Sequence, residues 1–224
     1  MSEYGLKIKN SDGDIQIDSI FRNYVLEKSG SLDIEGLHSI SIENNPNPPI
    51  AMVRPTGGID RACGVFDISY SSPNYTAVRF IGGKKNYPYS GTCPFDYKIY
   101  TLPENKSAET YGLRVYDAGA KLVYDSGFIP FKILEVGSAT IDVTYNHPNH
   151  SNPFYIFSPW HSAIASAFNP QPPQQSPVFS LKSAISRQSA TSAKGLWITC
   201  GYVGVTNMGF SDQSGTTFTL ILCE

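Results

Sequence analysis

The sequence predicts an all-β protein made of two tandem antiparallel β-sandwich domains related by an internal duplication. Three observations support this prediction: the composition, a hydrophobic alternation of period two, and a repeated segment. The chain of 224 residues contains 14 Tyr, 19 Gly and 16 Pro, and 16% of its residues are charged, whereas about 25% is usual in soluble proteins. Aromatic and β-branched side chains fit a pleated sheet, and Gly, Pro and Asn supply turns. Its length is enough for two domains of ordinary size.

The repeated segment reads YGLKIKNSDGDIQIDSI at residues 4–20 and YGLRVYDAGAKLVYDSG at residues 111–127. Without a gap, the match runs from Tyr4 on Tyr111 to Ser31 on Ser138 and includes eight identities. Apolar and polar residues alternate on each side of a turn rich in Asn, Asp and Gly, which is the pattern of a β-hairpin. The side chains of the closing Asp-Ser pair are expected to accept hydrogen bonds from nearby amides and so end the hairpin. The motif comprises Tyr4, Gly5, Leu6, Asp18 and Ser19, and again Tyr111, Gly112, Leu113, Asp125 and Ser126.

Two domains follow from the repeat, residues 1–105 and residues 106–224, with the polar stretch NKSAET as the linker. Weaker matches continue the repeat: PIAMVRP with PFYIFSP, and CGVFDISYSS from Cys63 with CGYVGVTNMG from Cys200. Each half closes on a run rich in strand-forming residues, FDYKIYTL in the first and TTFTLILCE in the second. Each half therefore predicts about seven short strands with regular turns, as in a sandwich.

The second domain is predicted to carry an insertion at residues 161–194, rich in Pro, Gln and Ser. The segment NPQPPQQSP favours an extended polyproline conformation, and the stretches HSAIASAF and LKSAISRQSATSAKG are compatible with short helices. A connection of this length is usually functional or disordered. We expect it to act as an arm that contacts a partner; an insertion without a role is the alternative.

Charge, cysteine usage and hydropathy limit the environment and the partners. A net charge of −2 gives no long-range attraction for nucleic acid. Neither a signal peptide nor a membrane span is expected, because no apolar run approaches about 20 residues. The cysteines are expected to be reduced and mostly buried; the alternative is a disulfide between Cys63 and Cys93, or between Cys200 and Cys223.

No motif for enzymatic chemistry is present, and the sequence predicts neither catalysis nor a cofactor. It has no nucleophile elbow, P-loop, HExxH or dinucleotide-binding glycine pattern. His147 and His150, together with His161, are compatible with a metal site, but ordinary loop histidines are the favoured interpretation. Asp18 and Asp125 are expected to lock turns and not to act as catalytic acids.

The doubled hairpin motif resembles a hairpin found in small structural proteins of tailed bacteriophages and prophages, whose genes lie among those for tails and tail tips. The resemblance covers about a quarter of the chain. It implies a structural component of a virion, associated with the tail, the tail tip or a fibre. The implied partners are other tail proteins and further copies of the chain, and the implied location is the virion tail after assembly in the host cytoplasm.

The alternative function is a receptor-binding or adhesion module that recognises a saccharide or protein on the host surface. Exposed aromatic rings would then stack on sugar rings. The residues predicted to bind a partner under either function are Tyr87, Tyr89, Trp160, His161, Phe168, Gln171, Gln174 and Gln175.

Overall fold

The computed structural model describes residues 7–9, 15–18, 22–84, 91–140, 143–158, 162–166, 176–206 and 217–224. Within these ranges the protein is all-β, which confirms the predicted class, and every strand pair is antiparallel. The strands of the first half are β1 (Lys7–Lys9), β2 (Ile15–Asp18), β3 (Val25–Ile34), β4 (Gly36–Asn45), β5 (Ile50–Pro55), β6 (Arg61–Ser71), β7 (Asn74–Lys84) and β8 (Cys93–Thr101). Those of the second half are β9 (Arg114–Tyr116), β10 (Leu122–Asp125), β11 (Ile133–Thr140), β12 (Thr144–Asn146), β13 (Phe154–Ser158), β14 (Ser162–Ser166), β15 (Ser176–Ser189), β16 (Ser192–Thr206) and β17 (Thr217–Cys223).

Two large sheets pack face to face. The first sheet has the strand order β11-β17-β13-β5-β8-β3, and the second has the order β12-β16-β15-β6-β7-β4, with β14 also paired to β15. The hairpins β1–β2 and β9–β10 each form a separate two-stranded sheet. Strands of both halves therefore contribute to both large sheets.

A buried hydrophobic cluster fills the space between the sheets. On β8 the inward-facing residues Phe95 and Ile99 are fully buried, as the period-two alternation of a strand requires. The cluster comprises Ile42, Ala51, Val53, Cys63, Val65, Val78, Phe80, Cys93, Phe95, Ile99, Tyr155, Ile185, Ala193, Leu220 and Leu222. Because residues of both halves belong to one cluster, the hydrophobic core is continuous along the molecule.

The two halves have the same strand order and closely matching registers. In the hairpins, Lys7 pairs with Asp18 and Arg114 pairs with Asp125, and the two remaining pairs also correspond. In the first sheet, β3 pairs with β8 as β11 pairs with β17, and both pairs carry a bulge at corresponding positions. Each half contributes three adjacent strands to each sheet. In the first sheet β3-β8-β5 correspond to β11-β17-β13, and in the second sheet β4-β7-β6 correspond to β12-β16-β15. This correspondence is what an internal duplication predicts, although the duplication itself stays a prediction.

The halves are joined edge to edge. Strand β5 meets β13 in the first sheet through Val53 and Tyr155, and β6 meets β15 in the second sheet through Cys63 and Ile185. The two halves consequently lie side by side within one continuous sandwich. The position of the domain boundary, between residues 105 and 106, stays a prediction.

The structure corrects two predictions for the second half. The described parts of the stretches proposed as short helices form β14, β15 and the start of β16, so residues 162–166 and 176–194 supply sheet strands. Pairing of β15 with β16 along almost its whole length satisfies the backbone groups, which outweighs the helix propensity of Ala and Lys. The match of Cys63 with Cys200 is also wrong, because Cys63 lies on β6 and Cys200 lies on β16, whose counterpart is β7.

Candidate functional site

The residues that the sequence predicts to bind a partner lie outside the described ranges. This applies to Tyr87, Tyr89, Trp160, His161, Phe168, Gln171, Gln174 and Gln175. Of the first hairpin motif, Tyr4, Gly5, Leu6 and Ser19 also lie outside them, and Asp18 is the last residue of β2. The prediction that these residues bind a partner therefore stays a prediction.

The second copy of the hairpin motif is described in full, and its Asp-Ser pair locks the hairpin as predicted. Asp125 is 3% exposed. It accepts hydrogen bonds of 2.9 Å from Arg114 Nε, from the amide of Gly127, and from both the amide and the hydroxyl of Ser107. Burial by itself raises the pKa of Asp125, but these hydrogen bonds and the Arg114 charge lower the pKa to about 2. The carboxylate is therefore held ionised as a structural anchor.

Ser126 closes the open end of the same hairpin. Its Oγ accepts a hydrogen bond of 2.9 Å from the amide of Leu113, and its own amide donates one of 3.0 Å to the Leu113 carbonyl. Gly112 has φ +142°, and a Cβ there would lie 2.4 Å from Ser126 Oγ. The motif thus needs Gly before Leu and Ser after Asp for geometric reasons. Tyr111 is 91% exposed and is available for contacts.

The histidines considered as a metal site have structural roles where they are described. His147 is fully buried, with Nε2 2.8 Å from Tyr155 Oη and Nδ1 2.8 Å from the His150 carbonyl oxygen. Both ring nitrogens therefore already have protein partners. Within the described ranges no three His, Cys, Asp or Glu side chains are grouped to hold a metal ion, and His161 lies outside them.

A polar group formed by Tyr145, Glu135 and His150 lies at the edge strand β11. Tyr145 donates a hydrogen bond of 2.5 Å to Glu135, and His150 Nε2 lies 3.5 Å from the same carboxylate. Burial, together with the neighbouring Glu135 charge, raises the pKa of Tyr145 to about 12. The Tyr145 hydroxyl also occupies the space beside Gly137, whose added Cβ would lie 2.4 Å from it. This contact explains the glycine of the repeated Gly-Ser in the second half.

The outer face of the first sheet carries the best candidate for an interaction surface. Val136 on β11, Ile221 on β17 and Ile156 on β13 lie directly opposite one another on three neighbouring strands, and we call them the apolar row. Val136 is 61% exposed, and Ile133, on the same edge strand, is 51% exposed. Ile221 and Ile156 are partly buried, because they pack against a second buried cluster on this face formed by Met52, Tyr100, Phe154 and Cys223. The row therefore continues a buried apolar patch out to the exposed Val136, and a contiguous apolar patch that reaches the surface, unlike scattered side chains, marks an interaction site.

Charged side chains flank the apolar row around Phe154. The Arg54 guanidinium lies 4.5 Å and the Lys98 ammonium 4.7 Å from the centre of the Phe154 ring. Arg54 is paired with Asp96 at 2.6 Å. Burial, followed by the charge of Arg54, lowers the pKa of Lys98. A cavity of about 340 Å³ opens beside these residues. An apolar centre with an aromatic ring and Arg at its side has the composition of protein interfaces.

Sequence reasoning did not identify the apolar row. The alternation in FKILEVGS indicates a strand, but it does not show that the outward-facing residues of three strands lie side by side. That arrangement depends on the pairing of β11 with β17 and of β17 with β13, which brings together residues far apart in sequence.

Comparison with known proteins gives no further information about the site, because no protein-family model, curated protein or solved structure matches this chain. In the part of the chain that the structure describes, no helix has the length and apolar character needed to cross a membrane.

Proposed function

We propose that this protein is a structural component of a bacteriophage virion, associated with the tail, tail tip or fibre, and that it assembles through protein–protein contacts. The resemblance of the doubled hairpin motif to tail proteins motivates the proposal. The observation that carries it furthest is the apolar row on the outer face of the first sheet, with the charged residues around Phe154 at its side. The partners are other tail proteins and further copies of the chain.

The exposed end of the apolar row, at Val136 on the edge strand β11, makes it a suitable docking surface. Removing apolar area from water contributes roughly 25 cal/mol per Å². Burial of two well-exposed aliphatic side chains such as Val136 and Ile133 would therefore contribute a useful share of the binding free energy. Interfaces place such residues at the centre and polar residues at the rim. Arg54, Lys98 and Glu135 would form part of that rim.

The decisive experiment locates the protein in particles. Antibodies against the purified protein are applied to purified phage particles and examined by electron microscopy, with particles from a deletion strain as the control. We expect label at the tail. Particles that contain no copy of the protein would contradict the proposal.

A variant tests whether the apolar row is the surface used. Val136→Asp places a charge on the outer face without touching the core, so the protein should fold normally. We expect its incorporation into particles to fall at least about tenfold, since one buried unpaired charge costs several kcal/mol. Val143→Asp is the matched control, because Val143 is similarly exposed at 55% but lies outside the row. Equal incorporation of the two variants would remove the row from the proposal.

Deletion of residues 169–192 would not be a valid test of the predicted contact arm. The deleted segment contains β15, which pairs with β16, β14 and β6. Such a variant is expected to misfold.

The receptor-binding alternative stays a proposal as well, since its aromatic residues lie outside the described ranges. The two functions differ in one simple assay. A receptor-binding module adheres to host cells as a purified protein and blocks phage adsorption, whereas a structural subunit does neither.

A further inference from the structure

We propose that Cys63 and Cys93 form a disulfide bond that links the two sheets when the chain folds in the presence of an oxidant of the disulfide class, such as oxidised glutathione. This inference does not depend on the proposed function. It rests on where the two thiols lie, on what holds their strands together, and on the chemistry of the pair.

The two thiols come from opposite sheets and meet in the core. Cys63 lies on β6 of the second sheet, and Cys93 is the first residue of β8 in the first sheet. Both side chains are fully buried in the same hydrophobic cluster. Cys63 pairs with Gly82 on β7 and Cys93 pairs with Ile34 on β3, and a Cβ on Gly82 would lie 3.2 Å from the Ile34 carbonyl oxygen, so the two sheets approach each other closely beside the two thiols. Two cysteines in contact across a sandwich are the arrangement that a disulfide needs.

Contacts at this end of the sandwich already hold the two strands together. Arg61, two residues before Cys63, donates a hydrogen bond to the carbonyl of Thr92, the residue before Cys93. The amides of Thr56 and Gly57, in the connection between β5 and β6, donate to the Pro94 carbonyl at 3.0 and 3.2 Å. Arg61 thereby ties the start of β6 to the residue before Cys93, and the connection that leads into β6 is tied to the residue after Cys93. The bond would therefore form between strand ends that are already held together.

The two thiols differ in acidity. Burial, together with the hydrogen bond to Cys93, raises the pKa of Cys63. The hydrogen bond from Cys63 lowers the pKa of Cys93, and the nearby Arg61 charge acts in the same direction. Cys93 is accordingly the better nucleophile, because the thiolate is the attacking species.

The reaction with oxidised glutathione balances in two exchange steps. The Cys93 thiolate attacks one sulfur of the glutathione disulfide, forms a mixed disulfide and releases one glutathione thiolate. The Cys63 thiolate then attacks the Cys93 sulfur and releases the second glutathione. Two electrons pass from the cysteine pair to the oxidant, and the two thiol protons end on the two glutathione molecules.

The remaining cysteines allow a clean assignment by peptide mapping. Trypsin cuts after Arg61, Arg79, Lys85, Lys98 and Lys194, so that Cys63 falls in peptide 62–79 and Cys93 in peptide 86–98. Cys200 and Cys223 share the single peptide 195–224. A Cys63–Cys93 bond therefore joins two peptides that contain no other cysteine.

The experiment refolds the full chain from guanidinium with oxidised glutathione, and in parallel with a reducing agent, before alkylation and mass spectrometry. Refolding removes the problem of access to a buried pair. We expect peptides 62–79 and 86–98 to be recovered joined, and the melting temperature to rise by roughly 5–10 °C relative to the reduced protein. Recovery of both peptides alkylated and separate, or joined to 195–224, would overturn the inference. So would a protein that refolds only under reducing conditions.

Three single variants complete the test. Cys63→Ala and Cys93→Ala should each abolish the oxidant-dependent rise in melting temperature. Cys223→Ala is the matched control, because Cys223 is also fully buried, and it should keep the rise. If either of the first two variants fails to fold, the peptide map of the unaltered chain decides the question.

Discussion

Replacement of Asp125 by Asn should destabilise the protein by an amount that can be worked out from its surroundings. The carboxylate is buried, and its pKa is lowered from 3.8 to about 2 by its hydrogen bonds and Arg114. Each pKa unit corresponds to about 1.36 kcal/mol, so ionised Asp125 contributes about 2.4 kcal/mol at pH 7. The side chain of Asn lacks the charge, and its NH₂ group would face N–H and O–H groups that are themselves hydrogen-bond donors. We therefore expect Asp125→Asn to lower the melting temperature by roughly 5–10 °C.

The pH dependence has a definite sign. Because the pKa is lower in the folded than in the unfolded protein, the contribution is complete well above pH 3.8 and disappears as the pH falls through about 2. At pH 3 about 1.3 kcal/mol remains. The difference in unfolding free energy between the original protein and Asp125→Asn should therefore shrink by about 1 kcal/mol between pH 7 and pH 3.

Urea unfolding followed by circular dichroism at both pH values measures these differences. Asp117→Asn is the matched control, because Asp117 Oδ1 accepts from the amides of Gly119 and Lys121 at the exposed turn of the same hairpin. Asn accepts the same bonds and should change stability by less than about 0.5 kcal/mol. A loss at Asp125 that is no larger than at Asp117, or that is equal at both pH values, would refute this account of the anchor.

Three further predictions concern stability. Ala120→Gly should raise the unfolding free energy by about 0.5–1 kcal/mol in denaturant titrations, because Ala120 has φ +60°, which Gly adopts without strain; the neighbouring Ala118→Gly should not stabilise. Gly137→Ala should cost about 1–3 kcal/mol, since the new Cβ meets the hydroxyl of Tyr145, and a crystal structure with that ring unmoved would contradict the reason given. His147→Ala should cost about 3 kcal/mol or more, because it leaves a core cavity and removes the ring partner of a buried tyrosine hydroxyl; in the unaltered protein a metal chelator should leave the melting temperature unchanged, and a drop would restore the metal hypothesis.

The sequence predicted local features better than long-range ones. The hairpin over Leu113 to Asp125 followed from alternation and turn residues, and the role of Asp125 followed from its place after the strand. Ala120, which has φ +60°, aligns with Gly13 of the first copy, a residue type that adopts a positive φ without strain. These features depend on residues close together in sequence.

Features that depend on distant pairing could not be predicted in the same way. The Ser- and Ala-rich segment around Ile185 has no clear strand pattern, yet Ile185 is 1% exposed and lies opposite Cys63 of the other half. Tertiary contacts decide the structure of such a segment, and its intrinsic propensity does not. The apolar row was missed for the same reason, and the union of the two halves in one core was visible only from the pairing of β5 with β13.

The way in which the halves meet has a consequence for any shortened form of the protein. A fragment that ends near residue 105 would leave the free sides of β5 and β6 without their neighbours β13 and β15, and unpaired strand edges recruit other chains. Strands β13 and β15 hold the same positions in the second half that β5 and β6 hold in the first half. The sheet edges exposed by truncation are therefore shaped to pair with the same edges of another molecule of the fragment. We expect such a fragment to form twofold dimers that reproduce the architecture of the intact chain from two separate polypeptides.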